Sequence, residues 1–170
     1  MVSIITGTSR GIGKFLAEYL LSLGHKVIGC SRSKQSLFHE KYDHYLLDIS
    51  NELLVTKLFK SVRKKHGRLD VIINNAGIAS MNHSILTKTE TVSSIYKTNF
   101  IGTFIFCREA AKLMQIRKFG RIINFSTVAV PLNLEGEAVY ASSKAAVVSF
   151  TKILSKELGS FGITVNSIGP

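Results

Sequence analysis

Thr6-Gly7-Thr8-Ser9-Arg10-Gly11-Ile12-Gly13 stands between two apolar segments of different period. Before it, Val2 to Thr6 is an apolar run of strand length. After it, Ile12, Leu16, Leu20 and Leu23 recur at helical spacing, and Gly24 supplies a stop. The predicted local structure is therefore a strand, a glycine loop and a helix. Gly7 permits a tight turn off the strand, Gly11 leaves the backbone bare for an approaching anion, and Gly13 lets the helix pack close to the sheet. The helix N-terminus adds unpaired N–H groups and a positive dipole end, a setting for a pyrophosphate. Ser9, Arg10 and Ile12 complete the predicted contact set of this loop.

Outward from the loop the same alternation repeats. Lys26–Cys30 reads as a second strand, Tyr45–Asp48 as a third, Val71–Asn74 as a fourth, Arg121–Phe125 as a fifth and Ile163–Ser167 as a sixth. Ser31 to His44 is polar and poorly periodic, a loop with at most a short helix. Ser50 is placed to cap a helix reaching His66, with Leu54, Val55, Leu58, Phe59 and Val62 on one face and Gly67 at its end. Further helices are expected from about Thr91 to Met114 and from about Glu137 to Leu158. Strands alternating with helices imply right-handed crossovers and a parallel sheet covered on both faces. The expected fold is α/β, a doubly wound, Rossmann-like parallel sheet of six strands, with residues 1–170 forming one nucleotide-binding domain. Ligands of such sheets bind beyond the carboxyl ends of the strands.

Composition narrows the class. The chain has 170 residues, 45% hydrophobic and 19% charged, a balance that suits a folded protein. Cys30 and Cys107 lie far apart, without a CxxC partner or clustered histidines, so neither a metal site nor a disulfide framework is expected. The N-terminus lacks the basic and apolar regions of a signal peptide, and no stretch approaches the roughly 18 apolar residues of a membrane span. A cytoplasmic compartment is the expectation. The net charge of +11 attracts anions in general, but the basic residues are scattered apart from Arg63, Lys64 and Lys65 at a predicted helix end. No basic stripe with stacking aromatics is present, so neither nucleic acid nor membrane is expected as a partner.

An acidic residue at the end of the second strand would bind the ribose of NAD and repel a 2′-phosphate. Ser31 and Arg32 stand there instead, with Arg10 in the glycine loop. An arginine fork suits a phosphate and a serine hydroxyl can donate to one, so NADP is favoured over NAD. The alternative is that Arg32 is a plain surface residue. Asp48, followed by Ile49, is either an adenine contact or a turn aspartate ahead of a helix.

Tyr140-Ala-Ser-Ser-Lys144 falls within the last long helix, and its i, i+4 spacing puts both end residues on one face. A neighbouring ammonium favours a phenolate, which would let Tyr140 exchange a proton with a carbonyl or alcohol. Ser126 and Thr127 end the fifth strand and bring a hydroxyl to the same cleft. Asn74-Asn75-Ala76-Gly77 ends the fourth strand, where small residues let a nucleotide lie against the backbone. Asn99 sits inside a predicted helix, either as plain surface or as a holder of a proton-relaying water.

These stretches, TGTSRGIG, NNAG, Asn99, the serine/threonine pair and YASSK, come in the order of the short-chain dehydrogenase/reductase family, which the whole chain resembles. Within it the likeness is to reductases of the 3-oxoacyl-acyl-carrier-protein type. The resemblance implies that Tyr140 is the acid/base and that Lys144 binds the nicotinamide ribose and supports the tyrosine. It implies that Asn99 supports a water chain, that Asn75, Ala76 and Gly77 lie beside the adenosine ribose, and that Asp48 and Ile49 contact adenine. It further implies a small-molecule or acyl-carrier-bound carbonyl substrate and a homodimer or homotetramer built on the two long helices.

Two departures accompany it. The family's catalytic serine lies thirteen residues before the tyrosine, where this chain has Thr127, with Ser126 one residue earlier. The last residues, Asn166 to Pro170, match the segment leading to a turn near the nicotinamide, to which Pro170 belongs; family members continue into a substrate-covering loop, helices and a seventh strand. The chain is thus expected to be C-terminally truncated, with a bared sheet edge. Hydride transfer from NADPH to a ketone is the expected reaction; a nucleotide-binding module without catalysis is the alternative.

Overall fold

The computed structural model describes residues 1–35 and 37–170; Ser36, inside the loop expected from Ser31 to His44, lies outside the described residues. Six strands form one sheet: β1 (Val2–Thr6), β2 (Lys26–Ser31), β3 (Tyr42–Leu46), β4 (Val71–Asn74), β5 (Gly120–Phe125) and β6 (Ile163–Ile168). Their order is β3-β2-β1-β4-β5-β6, with every pairing parallel. The order reverses between β1 and β4, which opens a crevice at their carboxyl ends. Six α-helices connect the strands: α1 (Gly11–Ser22), α2 (Glu52–His66), α3 (Thr89–Tyr96), α4 (Thr103–Met114), the short α5 (Ala129–Leu132) and α6 (Ala138–Leu158). Among the described residues no helix is long and apolar enough to cross a membrane.

Alternation along the strands sends side chains to two cores. Ile4, Ile28, Ile72, Ile122 and Val165 face α2, α4 and α6, where they pack with Leu58, Phe59, Phe106 and Leu158. Phe59 and Phe106 meet edge to face, with centroids 5.6 Å apart. Ile5, Val27 and Ile73 point the other way and pack with Ala17 and Leu21 of α1. Asn74 and Asn124 are paired in register on β4 and β5 and buried; the Asn74 amide donates to Asn124 Oδ1 at 2.8 Å.

Three local expectations need correction. The third strand spans Tyr42–Leu46 rather than Tyr45–Asp48, because Val27 pairs with Tyr42 and Ser31 with Leu46. Its polar composition hides a strand whose Tyr42 ring is buried. The cap of α2 is Asn51, whose Oδ1 accepts from Leu54 N at 3.1 Å; Ser50 is instead drawn to Asp48. The α2 end is as expected, with Gly67 left-handed at φ 67° and Lys65 paired to Asp43. The helix expected from Thr91 to Met114 begins at Thr89 and is interrupted by a π turn over Lys97–Gly102. The short α5 over Ala129–Leu132 precedes α6.

Candidate active site

A cleft of about 560 Å³ opens at the carboxyl ends of β1, β2 and β4 and beyond β3. Its floor is Gly7, Ser9, Arg10, Gly11 and Ile12. One wall is Ser31, Arg32, Ser33 and Lys34, followed by Leu47, Asp48 and Ile49; the other is Asn75, Ala76, Gly77 and Ile78, with Thr98 behind. The residues expected at the nucleotide therefore share this cleft, apart from the buried Gly13 and from Tyr140, Lys144 and Pro170. Ser33, Lys34, Leu47 and Thr98 were not anticipated. Lys34 had a signal, a second cation two residues beyond Arg32.

The loop's shape follows from its glycines. A side chain at Gly13 would collide with the Gly7 carbonyl. Gly11 has φ +57°, and the space a side chain would enter is open. No acidic residue stands in the first turn of α1, and Arg10 precedes it in extended conformation without capping it. That cradle fits an anion. Asn75 braces the loop: its amide donates to Thr6 O at 3.0 Å, while the Asn75 and Ala76 N–H groups both donate to Thr6 Oγ1 at 3.0 Å.

At the far wall, Asp48 is both a turn aspartate and a cleft residue. Its Oδ1 accepts from Ser50 N at 2.8 Å and Ser50 Oγ at 2.7 Å. Burial pushes its carboxyl up, but the Ser50 hydrogen bonds and the charges of Arg32 and Lys97 outweigh that and hold it below the ordinary carboxylate value. The Ser31 hydroxyl donates to Ser33 O at 2.8 Å, which commits its single proton within the turn.

The second group of expected residues meets the cleft at Gly77. A Cβ placed there would lie 3.3 Å from Asn99 Oδ1 and 3.3 Å from Lys144 Nζ. Lys144 is 4% exposed, and its Nζ donates to Phe125 O, the last residue of β5, at 2.8 Å. Burial pulls its ammonium down to about 8. Asn99 is fully buried in the π turn. It accepts from Ile78 N at 2.9 Å and donates to Ile78 O at 2.9 Å and Ser143 Oγ at 3.0 Å. Ser143 in turn donates to Tyr140 O at 2.7 Å. Asn99 thus ties the segment after β4 to the Tyr140–Lys144 turn of α6, with its amide fully engaged.

Tyr140 is half-buried one turn before Lys144, and among the described residues its hydroxyl makes no hydrogen bond. Thr127 Oγ1 accepts from Ala129 N at 3.2 Å, which leaves its proton free, whereas Ser126 Oγ is buried without a partner. Neither is hydrogen-bonded to Tyr140. Pro170 O accepts from Val128 N at 3.3 Å, which sets it beside the turn after Thr127. Among the described residues no three His, Cys, Asp or Glu side chains gather as a metal site.

Comparison with known proteins gives a consistent picture. The family model described as short chain dehydrogenase matches residues 1–170. A 3-oxoacyl-(acyl-carrier-protein) reductase of Vibrio cholerae is 35% identical over 177 aligned residues, covering 99% of this chain and 72% of the relative. One from Rickettsia prowazekii is 37% identical over 171 residues, covering 99% and 70%. Among solved structures, ElxO with NADP bound superposes with a TM-score of 0.94 at 33% identity, covering 99% of this chain and 72% of that one.

Proposed function

The chain belongs to the short chain dehydrogenase family, and from that premise we propose that it reduces a ketone to an alcohol with NADPH, acting on 3-oxoacyl thioesters carried by an acyl carrier protein. Residues 1–170 serve as one nucleotide-binding unit in this reading. The observation that carries it is Lys144: a buried ammonium, fastened to the end of β5, one turn from Tyr140 and against the Gly77 edge of the cleft.

The residues present fit the dinucleotide. Gly11 leaves bare space at the start of α1 for a pyrophosphate. Arg10, Arg32 and Lys34 set three cations around the cleft against the single carboxylate of Asp48, which suits an additional phosphate. Bound there, NADPH supplies the hydride that reduces the carbonyl carbon.

The chain's own residues handle the oxygen and the proton. Tyr140 gives its hydroxyl proton to the carbonyl oxygen as negative charge develops there. The Lys144 ammonium, one turn away, stabilises the oxygen that Tyr140 is left with. Thr127 keeps a free proton with which to donate to the carbonyl oxygen, and Ser126 is the substitute donor. Asn99 holds Ile78 and Ser143, so the two sides of the site keep their spacing. In this reading it also supports a water chain.

Loss of NADPH absorbance on addition of a 3-oxoacyl thioester tests the reading. Tyr140→Phe is expected to lower turnover by a factor on the order of 100 or more while NADPH binding persists. Turnover retained in that variant overturns the role of Tyr140. NADPH binding without oxidation in the unaltered chain replaces the reductase by a nucleotide-binding module.

The same reading includes a homodimer or homotetramer on the outer faces of α4 and α6. Phe150 meets Phe100 edge to face and Phe104 at a tilt, with centroids 5.9 and 5.8 Å apart, and Ile101 and Ile153 beside them are 43% and 57% exposed. Sedimentation velocity measures the state, and a monomer at micromolar concentration rejects it.

A further inference from the structure

Gly29 lies in the middle of β2, where glycine weakens a strand. A side chain there would collide with the Tyr42 hydroxyl and with Thr8 Oγ1. Those two oxygens are 2.8 Å apart and form the first link of a chain of hydrogen bonds that crosses β2. Tyr42 OH lies 2.9 Å from His44 Nδ1. His44 Nε2 lies 3.1 Å from Ser33 O and 3.2 Å from Ser31 Oγ. Ser31 Oγ donates to Ser33 O at 2.8 Å.

The partners fix the direction of the chain. Ser33 O can only accept, so Nε2 carries a hydrogen, and Ser31 Oγ, whose proton is on Ser33 O, accepts from it too. In the neutral ring Nδ1 is then the acceptor. Tyr42 donates to it, and Thr8 donates to Tyr42. Burial pushes the Tyr42 hydroxyl up, so it retains the proton it donates. One end of this relay is in the glycine loop and the other is the turn after β2, which carries Arg32 and Lys34 into the cleft.

We propose that His44 is a positioning residue for nucleotide selectivity: with Tyr42 and Thr8 it holds the Ser31–Lys34 turn so that Arg32 and Lys34 meet the ribose 2′-phosphate together. The inference rests on the NADPH reading and deepens it. His44 itself lies outside the cleft lining and acts through the turn. Two cations on a short loop lose their joint grip when the loop is released, because each must then be ordered at the expense of binding. A ligand without the 2′-phosphate does not call on them.

Calorimetric titration of the 170-residue chain with 2′,5′-ADP and with 5′-ADP separates the cases. The unaltered chain is expected to prefer 2′,5′-ADP by about tenfold or more, the scale of a charge-assisted contact. His44→Ala is expected to weaken 2′,5′-ADP by about tenfold and 5′-ADP by less than about twofold. His44→Gln, which keeps an N–H toward Ser33 O, recovers most of the loss. Tyr42→Phe, which cuts the relay at its middle, also lowers the preference. Equal weakening of both ligands, or an unchanged preference in His44→Ala beside a lost one in Arg32→Ala, overturns this inference alone. No preference in the unaltered chain overturns the NADPH reading and this inference with it.

Discussion

Lys144 Nζ donates to the Phe125 carbonyl at 2.8 Å, so an ammonium from α6 is tied to the last residue of β5. The tie places a charge where the protein has little water to offer it, and two consequences can be measured.

The first is a pH dependence of stability. Burial lowers Lys144 from the ordinary 10.5 to about 8. Below pH 8 the side chain is charged in folded and unfolded chains alike, and the full burial cost, on the order of 3 kcal/mol, is present. Between pH 8 and 10.5 the unfolded chain holds more protons than the folded one, so stability rises with pH. Lys144→Met lacks this titration. Urea midpoints at pH 7.5 and pH 10 should therefore show the unaltered chain gaining on the variant at the higher pH. A constant difference between the two would mean that Lys144 is solvated.

The second concerns the hydroxyl at the end of β5. Thr127 has a free proton, because its oxygen is the acceptor for Ala129 N, while Ser126 Oγ is buried without a partner. Thr127→Val should lower kcat by about 100-fold, the scale of a lost oxyanion donor. Ser126→Ala removes a buried unsatisfied hydroxyl and should leave the fold unchanged or stabilise it by up to about 1 kcal/mol. If Ser126→Ala is the variant that loses turnover, the roles are reversed.

How much of this was legible in the sequence depends on where the signal is local. The glycine loop, β1 and α1 could be read because Gly7, Gly11 and Gly13 are demanded by backbone geometry within eight residues. The parallel sheet covered on both faces followed from the alternation of strands and helices, whereas the strand order came only with the structure. β3 was expected three residues too late, at Tyr45–Asp48, because Tyr42-Asp43-His44 is polar and its strand character comes from pairing with β2. The same distance effect hid the Asn74–Asn124 pair, fifty residues apart in sequence, and the Thr8–Tyr42–His44 relay. The π turn at Asn99 has no compositional mark; it is stabilised by Ile78 and Ser143, which the sequence sets far from it.

Gly11 and Gly13 should separate ligand binding from folding. Gly13→Ala drives a methyl group into the Gly7 carbonyl, and the overpacked loop should cost about 1–3 kcal/mol of stability. Gly11→Ala meets nothing, and its left-handed φ of +57° costs only about 1–2 kcal/mol. In the proposed binding mode, however, its methyl group enters the space left for the pyrophosphate. Thermal melts with and without NADPH distinguish the two: Gly11→Ala should lose the ligand-induced rise in Tm while remaining folded. A full rise in Gly11→Ala would show that the pyrophosphate lies elsewhere.

In the proposed reading Arg32 sets the choice of nucleotide. It lines the cleft beside Lys34, is exposed, and is close enough to Asp48 to help hold that carboxyl down. A guanidinium there favours a phosphate, whereas a carboxylate favours the two hydroxyls of an unphosphorylated ribose. Arg32→Asp both removes the fork and adds repulsion, so the ratio of kcat/KM for NADPH to that for NADH should fall by about 100-fold or more. Arg32→Ala should produce the smaller part of that change, since Lys34 remains. Asp48 should also lose part of its depression in Arg32→Ala, which NMR titration of its carboxyl can follow. A nucleotide preference indifferent to both variants would move the recognition of the 2′-phosphate from the β2 turn to Arg10.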